Sequence, residues 1–207
     1  MPVVAVAFSA VEFRLSVRWE AVLAAAAMAT LAFCAAGAGG NWAYYDRQYA
    51  EFRGALQASP AGTKIMTVLD GDAMGLASDQ PYWHMAEYAI ADKGAMTALL
   101  FATKGQHVVQ VNPPYDRYVA TTAQQGSPPD IGELDDLAAG KADGDPDIDN
   151  VFPYLKYFPC HYDEVVVVRV SDKTEPAPDM LRLRHAGSFF SLYDIVPYDT
   201  LPRACAR

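Results

Sequence analysis

Residues Ala21 to Gly40 form an unbroken run of 20 residues without a charged side chain, and Thr30 is the one conventional polar residue in it. As a helix, such a run extends roughly 30 Å, about the thickness of a bilayer's hydrocarbon core. A chain carrying it must lodge it in lipid, lose it as an export signal, or wrap a protein core around it. Trp19 precedes the run, and Trp42, Tyr44 and Tyr45 follow it. Amphipathic rings favour both membrane interfaces, and the positive-inside tendency of Arg14 and Arg18 places the N-terminus in the cytoplasm. The chain therefore reads as a cytoplasmic lead-in over 1–18, a transmembrane helix over 19–42, an extracytoplasmic domain over 43–200 and a tail over 201–207. This is a single-pass protein of the cell inner membrane, bound to the lipid bilayer through 21–40, with its folded part on the periplasmic or extracellular side.

Two other readings compete with the anchor. Ten of the 20 residues are alanine and three are glycine, so the run is only weakly hydrophobic. Ala36-Gly37-Ala38 has the small-x-small pattern of a signal-peptide cleavage site. A buried core helix is the third reading. The first two agree on destination, since both put the folded part outside the cytoplasm.

Charge excludes a further class. The net charge is −9 over 207 residues, and the part beyond Trp42 carries all of it. Nucleic-acid binders gather lysine and arginine against phosphates, so no nucleic-acid partner is expected. Three cysteines with no C-x-x-C pair leave no structural zinc or dithiol redox motif. Cys34 belongs to the apolar run. Cys160 and Cys205 both fall on the oxidising side, where a disulfide between them would tie the tail to the start of the main strand. The competing reading is an unpaired, frayed tail.

Beyond the run, Tyr45, Tyr49, Phe52 and Leu56 recur at spacings of four, three and four, which predicts an amphipathic helix over 43–59 that Pro60 ends. Lys64 to Leu69 (KIMTVL) reads as a strand, and Pro81 to Asp92 as a helix with Gly94 as its left-handed terminus. Met96 to Phe101 and His107 to Val111 read as strands or a hairpin. Residues 123–150 are a polar connection with a short helix at Ile131 to Ala139, and Phe152 to Tyr157 forms a helical turn. Glu164 to Val170 (EVVVVRV) is the strongest strand signal, because an unbroken β-branched run suits a strand covered on both faces. Ser188 to Val196 is the last strand. Strands interleaved with helices predict an α/β fold: an N-terminal membrane helix, then a small mixed sheet of four or five strands flanked by helices.

Several phrases of this chain carry a resemblance: SPAGTKIMTV at 59–68, WHMAEYAIADKGA at 83–95, LLFATKGQH at 99–107, HYDEVVVV at 161–168 and GSFFSLY at 187–193. Together with the apolar helix running into an amphipathic one, they resemble the C-terminal end of bacterial multispanning membrane proteins similar to polyprenyl-phosphate-sugar-dependent glycosyltransferases. The resemblance covers residues 15–200. It implies a last membrane helix followed by a small extracytoplasmic α/β domain with an accessory, non-catalytic role, either within a longer chain or beside a membrane glycosyltransferase body. In that family the catalytic acids lie in an early extracytoplasmic loop, to which no position here corresponds. The alternative is a stand-alone anchored or secreted module that binds a partner protein or an envelope glycan.

Candidate chemistry is sparse. His84 and Glu87, three apart on one helix face, suit a shared proton or ligand, or an ordinary surface pair. His161 and Asp163 precede the buried strand, where functional groups or plain turn formation are both expected. Trp83 adds a ring able to stack on a sugar face. Trp83, His84, Glu87, His161 and Asp163 are the candidate substrate-binding residues; the catalytic residues stay unknown. Asp143 to Asp149 superficially resembles a calcium loop, but Ile148 stands at its sixth position and Tyr154 at its twelfth, where glycine and glutamate belong. The expectation is a solvated acidic loop with no metal. No cofactor is expected, since P-loop, G-x-G-x-x-G and G-x-S-x-G patterns are missing from the sequence.

Overall fold

The computed structural model describes residues 17–70, 82, 84–99, 111, 128–138, 154–155, 158–169 and 178–196. It has a long N-terminal helix and a five-stranded mixed sheet flanked by helices, an α/β arrangement. The chain divides into two compact units, Met1–Arg47 and Gln48–Arg207.

In the first unit the described residues are helical. Helix α1 runs unbroken over Val17–Ala55. Alanine loses no side-chain entropy in a helix, so its abundance here favours the state even without packing. Thr30 returns its hydroxyl to the Ala26 carbonyl at 2.9 Å, which spares an apolar surface one unpaired donor. From Val17 to Tyr44 every residue is exposed, and none of the apolar window is buried. The core-helix reading is thereby removed. The helix is long and apolar enough to cross a membrane.

The second unit takes the end of α1 into its core. Phe52 and Leu56 are fully buried and Tyr49 partly so, as their spacing predicts. The helix tightens into a 3-10 turn at Leu56–Ala58 and stops at Ser59, extended at φ −73° and ψ 139° because a residue before proline is pushed out of the helical region. Gly62, at φ 76°, completes the turn into strand β1, Lys64–Leu69. Tyr82 is helical, and after a turn at His84 a 3-10 turn at Met85–Glu87 leads into α2, Tyr88–Lys93, so the helix expected from Pro81 is interrupted at His84; Pro81 and Trp83 lie outside the described residues. Gly94 closes it in the left-handed region at φ 62°, as expected.

Strand β2 is Met96–Thr97 alone, and a turn follows at Ala98 and Leu99. The other half of the expected hairpin lies outside the described residues, as does the calcium-like loop. Helix α3 spans Ile131–Ala138 and helix α4 spans Phe158–His161. Of the helical turn expected at 152–157, Tyr154 and Leu155 lie in a turn and the rest falls outside the described residues. Strand β3, Glu164–Val168, is buried at every position. Strands β4, Leu181–Ala186, and β5, Phe190–Ile195, complete the sheet, whose order is β2-β1-β3-β5-β4. β1 pairs in parallel with β2 and β3, while β5 is antiparallel to β3 and β4. β4 was not expected from the sequence.

Register sorts the sheet's side chains onto two faces. Met66, Val68, Val165, Val167 and Tyr193 share one, and pack in a single cluster with Ile131 and Leu134 of α3, Tyr154, Leu155 and Phe158. Burial pushes the Tyr154 phenol far up, and the Glu133 charge adds to the shift. Ile65, Leu69, Val166, Val168, Phe190 and Leu192 share the other face. There Phe52 meets Phe190 edge-on at 5.2 Å.

Candidate functional site

The residues singled out in the sequence separate towards opposite ends of the sheet. Asp163 precedes β3 at the amino end of the parallel strands. Its amide donates to Lys64 O at 2.8 Å, its Oδ2 accepts from Lys64 N at 2.9 Å, and its carbonyl accepts from Ile195 N at 3.0 Å. Those bonds align the starts of β1 and β3 with the end of β5. His161, two residues earlier, is the last residue of α4. Both therefore stand at the edge away from the carboxyl ends, where open α/β sheets bind ligands.

His84 and Glu87 do meet. Nδ1 of His84 lies 2.7 Å from Glu87 Oε1, with both side chains partly exposed. The pair holds the start of the Met85–Glu87 turn, and an imidazole against a carboxylate is able to hold or pass a proton. Tyr82 shows where this segment runs. Its ring lies 4.7 Å from that of Phe189, whose carbonyl accepts from Arg169 N at 2.7 Å just past β3. Trp83 lies outside the described residues.

Next to that pair, Tyr88 is 41 % exposed, lies 5.2 Å from Tyr49 ring to ring, and has the Arg53 guanidinium 5.8 Å from its centroid. Arg53 also grips Asp92 with two hydrogen bonds of 2.6 and 2.7 Å. Those bonds hold the Asp92 carboxyl below the usual carboxylate range. The result is a part-exposed ring with the Arg53 guanidinium over one face and the Tyr49 ring tilted against it, an aromatic and cationic surface patch.

A second polar cluster is buried. Glu164, 2 % exposed, receives Ser59 Oγ at 2.9 Å and Arg184 Nη1 at 2.9 Å. Arg184 also donates to Asp194 at 2.8 Å and to Ser59 Oγ at 2.9 Å. This network joins the end of α1 to β3, β4 and β5. Apart from Arg184 Nε, its buried polar atoms are spent on one another, so its work is holding the fold. Sequence spacing gave no hint of it, because its bonded members lie as far as 125 positions apart.

Cys160 in α4 is disulfide-bonded, and Cys34 is free and exposed. Cys205 lies outside the described residues. Among the described residues, no group of three histidine, cysteine, aspartate or glutamate side chains is placed to hold a metal ion. The strand end that matters for ligands in a parallel sheet is occupied by Asp70, which no motif marks. Sequence reasoning missed it, and a strand-like run closing on an acid, KIMTVLD, is the signal that could have found it. No protein-family model, curated protein or solved structure matches this chain.

Proposed function

We propose that this chain is a membrane-anchored, extracytoplasmic accessory module of a bacterial glycosyltransferase-like membrane protein, one that shapes an acceptor site and supplies no catalytic groups itself. The observation that carries the anchor is the exposure of every residue from Val17 to Tyr44 in a helix long and apolar enough to span lipid. The disulfide at Cys160 supports an oxidising compartment for the α/β unit. The glycosyltransferase relationship rests on the resemblance of residues 15–200 alone.

The end of α1 is bolted to the sheet in a way that suits an accessory part. Glu51 accepts from Ser188 N at 2.8 Å, Arg53 grips Asp92, and Ser59 reaches Glu164. A domain so fixed to its helix end holds one orientation relative to that helix turn.

The test is membrane fractionation with a carbonate wash, followed by protease added from the outer side. Protein retained in the washed pellet and digested from outside supports the reading. Release of intact protein by carbonate overturns the anchor, and protection from external protease overturns the assigned side.

The Tyr88, Tyr49 and Arg53 surface favours a second reading, a module that binds an envelope glycan or partner protein through that face. Tyr88→Ala then abolishes retention on isolated envelope glycan while leaving membrane retention intact.

A further inference from the structure

We draw no further inference here: the strongest candidate, the exposed outer edge of strand β4 around Arg182 and Leu183, carries nothing, because the bulge between Leu183 and His185 and the inward-held Arg184 already blunt that edge against an added strand, and nothing among the described residues shows what covers it.

Discussion

Glu164 and Arg184 form a two-point pair: each carboxylate oxygen of Glu164 lies 2.9 Å from a guanidinium nitrogen of Arg184. Glu164 is 2 % exposed, and the Arg184 side chain is 20 % exposed. Breaking one side of a buried pair strands the other charge. Arg184→Met is expected to cost about 3–5 kcal/mol. Glu164→Gln with Arg184→Met recovers much of that loss, because no fully buried charge is left without a partner and the part-exposed Asp194 keeps Arg182 at 3.7 Å. Chemical denaturation of the single and double variants checks it.

The start of α3 is set by a reciprocal cap. Asp130 N donates to Glu133 Oε2 at 2.8 Å, and Glu133 N donates to Asp130 Oδ1 at 2.7 Å. Asp130→Ala is expected to lower stability by about 1 kcal/mol, while Asp130→Asn is nearly neutral because asparagine caps equally well. Thermal melts of the two variants separate these outcomes.

The Arg53–Asp92 pair carries a pH signature. Asp92 ionises more readily in the fold than in the unfolded chain, so its contribution is complete above the unfolded carboxylate value of about 4. It drains away as pH falls through that value and below. The melting-temperature gap between wild type and Asp92→Asn should be present at neutral pH, close under acid, and narrow in high salt because the pair faces solvent. A gap that is constant from neutral to acid pH contradicts the pairing.

Gly187 is a matter of space. A Cβ there runs into the Phe190 ring, while Gly187 N donates to Phe190 O at 2.8 Å across the β4–β5 turn. Gly187→Ala therefore forces Phe190 away from Phe52 and is expected to cost about 1–3 kcal/mol. Near-ultraviolet circular dichroism and denaturant midpoints report the shift.

Three cysteines, one disulfide-bonded at Cys160 and one free at Cys34, single out Cys205 as the partner to look for. Peptide mapping without reductant is expected to find the Cys160 and Cys205 peptides joined and Cys34 alkylated alone. A free Cys160 thiol in protein from the membrane fraction counts against an oxidising location for this domain.

Legibility in the sequence followed local burial. The Tyr45–Tyr49–Phe52–Leu56 stripe, KIMTVL and EVVVV each carry the pattern of their own environment, and each element forms where that pattern lies. β4 carries no such pattern. Leu181 is its one buried position, with arginines at 182 and 184, and the strand is held by its ladder to β5 and by ion pairs to Glu164 and Asp194. Asp163 was legible as an acid at a strand end, but which end it occupies depends on the direction of a neighbour almost a hundred residues away.

By itself the amino-acid order determined the amphipathic end of α1, strands β1 and β3 and an apolar helical run long enough to cross a membrane, since periodicity and side-chain volume are local and act before any partner is chosen. Tertiary structure alone decided the strand order, the edge strand β4 and the burial of Glu164 and Asp70. Those follow from which distant segments lie side by side, and backbone hydrogen bonding is blind to the side chains that it brings together.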